Sequence, residues 1–185
     1  MIVSNLVHVP NAPIIPGLCY HRFQSTSDYD QMAAVHEGSR VWDRVDPLSA
    51  RESVPTAEAL AATFPESELR NNTAMLLAQI DDRIVGYNHV LWRWTEVTGT
   101  HVYLHLGYLL PQWRGKGIGQ SLLYWAQRRI RAIAADEHGQ GPTTFATNVS
   151  STEREADALM QHDGYLAVRR LSDIALEPLL HHFQY

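Results

Sequence analysis

The period of the hydrophobic residues changes along the chain, and each change marks an element. Residues 102–110 alternate, with Val102, Leu104, Leu106, Tyr108 and Leu110 on one side and His101, Tyr103, His105, Gly107 and Leu109 on the other. A two-residue period is that of a strand. From about residue 117 to 135 the spacing becomes helical, with Ile118, Leu122, Trp125, Ala126, Arg129 and Ile133 on one face. Two alternating runs, 74–80 and 84–94, flank Asp81-Asp82 and predict an antiparallel hairpin, with Gly86 as a bulge or close-approach point. Behind the cluster Ser25-Thr26-Ser27-Asp28, Tyr29, Met32, Ala33 and His36 predict a helix that ends near Gly38 or continues towards Trp42. Leu60, Ala61 and Phe64 predict another over 56–64. A strand over 18–23 precedes these. A strand over 143–149 and a helix over 151–162 follow, the helix opened by a Thr152/Glu155 capping box and closed at Asp163-Gly164. One or two strands over 165–170 and 173–176 end the series. The order predicts an α/β (α+β) fold, a mixed sheet of six to seven strands with about four helices. Residues 1–16 read as an extended proline-rich arm, 17–177 as one domain and 178–185 as a tail.

Between the strand ending at Pro111 and the helix behind it lies Gln-Trp-Arg-Gly-Lys-Gly-Ile-Gly, residues 112–119. A strand, a glycine-rich loop and a helix start make an anion site: glycines allow close backbone approach, and the helix N-terminus adds partial positive charge. Arg114 and Lys116 add full charges, and Lys116 is the one lysine of the chain. A nucleoside-triphosphate loop is disfavoured, since Gly117 rather than Ser or Thr follows Lys116. Gly115, Gly117 and Gly119 also lack the dinucleotide spacing.

Composition narrows the classes. A length of 185 residues, 45% of them hydrophobic, suits one domain with its own core. The net charge of −5 argues against nucleic acid as partner. A lone cysteine, Cys19, excludes an internal disulfide framework, and no run approaches the ~18 apolar residues of a membrane span, so a cytoplasmic protein is expected. The ten histidines have no zinc-site spacing.

Arg114, Gly117 and Gly119 fit Arg/Gln-x-x-Gly-x-Gly/Ala, with Leu109, Pro111, Gly115, Lys116, Ile118, Leu122 and Leu123 extending the match. This resembles the acetyl-CoA pyrophosphate loop of the GNAT superfamily of N-acetyltransferases, and the element order agrees from about residue 17 to 176. The resemblance implies that acetyl-CoA is cosubstrate and that the central strand splays from its successor to admit the pantetheine arm. Leu109 and residues 114–119 (Arg114, Gly115, Lys116, Gly117, Ile118 and Gly119) would hold pantetheine and pyrophosphate. Asn148 and Ser151 would lie across the splay, although Asn148 equally suits a turn or cap. The chain also looks like the first half of tandem proteins of this family, so a lone domain would complete itself as a homodimer.

Transfer requires a deprotonated amine and protonation of the departing thiolate. By resemblance the face with Tyr103 and His105 lines the acceptor side, making His105 the candidate base and Tyr103 a positioning residue; the alternative for both is packing under a helix. The family's usual acid, a tyrosine on the last helix, falls here on Met160, which has no proton to give. Glu37, Trp42, Asp43, Asn88, His89, Trp92 and Trp94 are offered to an acceptor pocket suited to a cationic or aromatic amine. Direct attack in a ternary complex is expected, since Cys19 has no evident activating partner. The rivals are an acyl-CoA sensor without turnover, which Met160 favours, and a nucleotide-binding domain.

Overall fold

The computed structural model describes residues 5–44, 54–66, 69, 74–95, 99–138 and 142–168, without the side chains of 91–95, 137 and 138. Five strands form one sheet in chain order: β1 (Leu18–His21), β2 (Met75–Ile80), β3 (Arg83–Thr95), β4 (His101–Leu109) and β5 (Thr143–Ala146). The first four pair antiparallel and β5 joins β4 in parallel, the crossover being α3 (Ile118–His138). The sheet is therefore mixed, as expected, but has five strands among the described residues rather than six to seven. Residues 165–168 belong to no strand, and the strand expected over 173–176 lies outside the described residues.

Helices α1 (Ser27–Arg40) and α2 (Ala57–Thr63) cover one face of the sheet, where Met32, Val35 and Leu60 pack with Met75, Leu77, Ile84 and Tyr87. On the other face Ile118 and Leu122 of α3 meet Leu76, Ala78 and Val85, while Ala126 and Ile130 meet Val90 and Tyr103. The central strand is thus buried on both sides. The residue 5–16 arm is packed as well: Val7 N–H donates to the Tyr20 carbonyl at 2.7 Å, and Val9 is buried beneath α3.

Local signals explain most boundaries. Asp81 and Asp82 adopt φ of +47° and +64°, the left-handed pair of a two-residue hairpin turn. Thr56 caps α2 by accepting from Ala59 N–H at 3.2 Å. Helix α1 runs past Gly38 to Arg40, within the expected range from Gly38 to Trp42; Gly38 lies inside it, where Leu110 occupies the space a side chain would need. One expectation fails. The helix α4 (Arg154–His162) is not opened by a Thr152/Glu155 box; Glu153 is its cap and its carboxylate instead accepts from Ser150 N–H at 2.7 Å.

Gly86 is a close-approach point between β3 and β4. A Cβ there would stand 2.6 Å from the Tyr108 carbonyl oxygen, a backbone atom that cannot turn aside. Gly86→Ala is expected to destabilise by about 1–3 kcal/mol through overpacking, read as a lower urea midpoint at unchanged slope. An unaltered midpoint would show that the strands part without cost.

Candidate active site

Strands β4 and β5 stay together for four pairs only, from His101↔Thr143 to Leu104↔Ala146. Beyond them β4 runs on to Leu109, while residues 147–150 leave the sheet. On its β5 side, the backbone of residues 105–109 therefore has no strand partner among the described residues, up to the glycine loop. Exposed strand edges are hydrogen-bonding templates.

A 3₁₀ turn over Pro111–Trp113 carries the chain into that loop. Gly115 and Gly117 take φ of +69° and +87°, which side chains rarely allow. The Gly117 carbonyl accepts the first helical bond, from Ser121 N–H at 3.0 Å, leaving the amides at the start of α3 without helical acceptors. Pro13 of the arm lies beside Gly117, and Leu159 of α4 beside Gly119. Ile118 is fully buried, so only its backbone can face a ligand. Lys116 is exposed, with its ammonium 5.0 Å from the Trp113 ring centre.

Arg114 is not a free cation. Its Nη1 and Nη2 donate to both oxygens of buried Asp43 at 2.5 and 2.6 Å, and its Nε to the Leu109 carbonyl at 3.0 Å. Glu155 of α4 lies 3.5 Å from Nη1 and also accepts from the Trp42 indole at 3.3 Å. These bonds, Asp43's above all, raise the Arg114 pKa despite burial. One guanidinium thus ties together the segment after α1, the end of β4 and the start of α4. Asp43, expected in the acceptor pocket, is instead its counter-ion.

Tyr103 and His105 lie on the α3 face of β4, not on the face covered by α1 and α2. Tyr103 packs with Ala126 and Ile130. His105 is fully buried, and burial lowers its pKa to about 4, so it is neutral at pH 7 and a weak base, contrary to the near-neutral pKa expected of it. Its Nε2 lies 2.7 Å from the Tyr165 hydroxyl, while its Nδ1 is buried without a hydrogen-bond partner among the described residues. Gln127 of α3 donates to Asp163 at the end of α4 and partly offsets the burial that raises the Tyr165 pKa. Tyr165, Gln127 and Asp163 were not legible as site residues; the one available signal was the Asp163-Gly164 helix end, which fixes where the chain turns back.

The remaining candidates divide. Glu37 is exposed and paired with Arg40 at 2.9 Å, and Trp42 is 62% exposed at the rim beside Glu155. Asn148 and Ser151 are exposed on the segment between β5 and α4. His89 is buried, its ring 4.5 Å from Phe64 under α2, with a pKa lowered to about 4 by burial. Asn88 is buried beside Gly107. The Trp92 and Trp94 side chains lie outside the described residues. No helix among the described residues is long and apolar enough to cross a membrane, and none of their histidine, cysteine or acidic side chains cluster as metal ligands.

Known proteins supply an independent comparison. The profile of the Acetyltransferase (GNAT) family matches residues 41–151. Among solved structures, a GCN5-related N-acetyltransferase from Sphaerobacter thermophilus superposes with a TM-score of 0.66 at 18% identity; the match covers 83% of this chain but 44% of that one. A Salmonella typhimurium protein assigned as an acetyltransferase, solved with acetyl-CoA, gives 0.56 at 18% identity over 81% and 80% of the two chains. An aminoglycoside acetyltransferase from an uncultured soil metagenomic sample, bound to sisomicin, gives 0.53 at 13% identity over 84% and 93%. No curated protein matches the sequence.

Proposed function

The chain belongs to the acetyltransferase (GNAT) family, and we propose that it transfers the acetyl group of acetyl-CoA directly to an amine of a small molecule or peptide in a ternary complex. The observation that carries this reading is the opening between β4 and β5, which leads straight to the glycine loop. In it the pantetheine arm lies against the edge of β4 over residues 105–109, which has no strand partner on the β5 side among the described residues. The amides of residues 115–119 take the pyrophosphate at the start of α3, with Lys116 as the rim charge. Asn148 and Ser151 border the far side of the same opening. Trp42 and Glu37 offer an aromatic and an acidic surface to a cationic amine. The acetyl-CoA bound by the Salmonella neighbour supports the same cosubstrate here.

The neutral state of His105 alters the mechanism. It is too weak a base to deprotonate an ammonium group at pH 7, so the amine enters already neutral or loses its proton to solvent. The acidic balance of the chain and its lone cysteine fit a cytoplasmic enzyme, and a homodimer is one way for a single domain to complete its acceptor pocket. A second reading, an acyl-CoA sensor without turnover, is favoured by Met160 at the family's acid position.

Two measurements separate these readings. Acetyl-CoA at one hundred times its Kd should stabilise the protein by roughly 2.7 kcal/mol, seen as a rise in Tm. Release of CoA thiol with one of a panel of amines would establish the transferase. Stabilisation without release would leave the sensor. No stabilisation by acetyl-CoA or CoA would sink both.

A further inference from the structure

We propose that Tyr165 is the proton donor to the departing CoA thiolate, and that His105 positions its hydroxyl. The inference rests on the acetyl-transfer reading above and places the acid beyond α4 rather than on it. Gly164, at φ +86°, turns the chain out of the helix, and Tyr165 N–H donates to the Met160 carbonyl at 2.9 Å. This turn lays the Tyr165 ring edge-on to His105, with centres 5.7 Å apart and the hydroxyl 2.7 Å from Nε2.

His105 is the first β4 residue beyond the last pair with β5. The phenol therefore stands at the apex of the opening. A strand rises ~3.3 Å per residue, so the apex lies ~13 Å along β4 from Leu109 and the glycine loop. That span suits an extended pantetheine arm whose pyrophosphate rests on the loop, and it brings the thioester sulfur level with Tyr165. Of the two bonded residues, His105 is fully buried and Tyr165 is half-buried, so the tyrosine is the one that retains surface for a ligand.

The surroundings suit a donor. Burial raises the Tyr165 pKa, so the phenol holds its proton at pH 7, and Gln127, itself anchored on Asp163, offsets part of that rise. With the proton on Nε2, His105 donates to the phenol oxygen and leaves the phenol proton free for sulfur. The amine nitrogen then forms the new C–N bond, the C–S bond breaks, and sulfur takes the phenol proton. The proton that nitrogen sheds on becoming an amide restores the phenol, so the products are the amide and the CoA thiol.

The test titrates the thiol of bound CoA by its thiolate ultraviolet absorbance, read against the desulfo-CoA complex so that tyrosine signals cancel. A hydrogen bond from the phenol to the thiolate should make the thiol's ionisation constant in the wild type about ten- to hundredfold larger than in Tyr165→Phe. Equal constants in the two proteins would overturn the proposal. Should Tyr165→Phe fail to fold, the wild type decides: a thiol that ionises more readily than in free CoA supports the donor, and one that ionises as in free CoA refutes it. Failure of the underlying reading looks different, because then neither CoA nor desulfo-CoA would bind at all.

Discussion

Asp43→Asn should cost about 3 kcal/mol of folding stability, a large part of the ~5–15 kcal/mol that holds a typical domain. The substitution keeps the shape of the side chain and removes its charge. Asp43 is 2% exposed and accepts two bonds from Arg114, which is itself only 15% exposed. Without Asp43 the guanidinium would be a largely buried cation left with the Leu109 carbonyl, with Glu155 at 3.5 Å and 48% exposed, and with the charge of Glu153. Those residual partners set the cost at the low end of the range for a broken buried pair. Because the same guanidinium bonds the Leu109 carbonyl, the loss should loosen the end of β4 and weaken acetyl-CoA binding along with stability. A denaturant series gives the answer. Arg114→Leu should cost a similar amount by stranding Asp43, whereas the double variant Asp43→Leu/Arg114→Leu should recover part of it, since two apolar residues strand no charge. Single-variant losses below about 1 kcal/mol would mean that the pair behaves as an exposed one.

Arg114 also shows what was legible in the sequence and what was not. Its place in the motif, the glycines around it and the strand and helix on either side are all local, and local pattern located them to within a residue or two. Nothing in the sequence joins Arg114 to Asp43, 71 residues away, or His105 to Tyr165, 60 residues away. Those partnerships exist only once β4, α3 and α4 are in place. The faces of β4 were left open for a related reason. Alternation separates the two sides of a strand but does not say which helix covers which; the resemblance put the Tyr103–His105 side on the acceptor cleft, with packing under a helix as the alternative. In the structure α3 covers that side, and Tyr103 and His105 are among the most buried residues of the strand. The strand count failed at the C-terminal end, where residues 165–168 leave α4 without pairing and Tyr165 meets His105 instead.

The same burial predicts that the protein unfolds in mild acid. His36, His89 and His105 each have a pKa lowered to about 4 by burial. His36 bonds the Tyr87 hydroxyl at 2.6 Å and packs on Tyr108, His89 lies against Phe64, and His105 bonds Tyr165. Among the described residues, none has a carboxylate hydrogen-bond partner to favour the imidazolium. In the unfolded chain each returns to about 6.5. Between pH 6.5 and 4 the unfolded state therefore binds a proton at each of these positions that the folded state does not, and stability must rise with pH across that window. Their contribution is complete above pH 6.5 and is lost as the pH falls to 4. One proton per histidine corresponds to 1.36 kcal/mol per pH unit, so three give a slope of about 4 kcal/mol per unit near pH 5. The full loss approaches ~10 kcal/mol, comparable to the stability of a whole domain. Urea unfolding at half-unit steps from pH 7.5 to 4.5 reads the slope directly, in a range where most carboxylates are still ionised. His36→Gln or His89→Gln should reduce the slope by about a third while lowering stability at pH 7.5. A flat profile down to pH 5 would show that the imidazoles become charged in place, and that water reaches them in the folded protein.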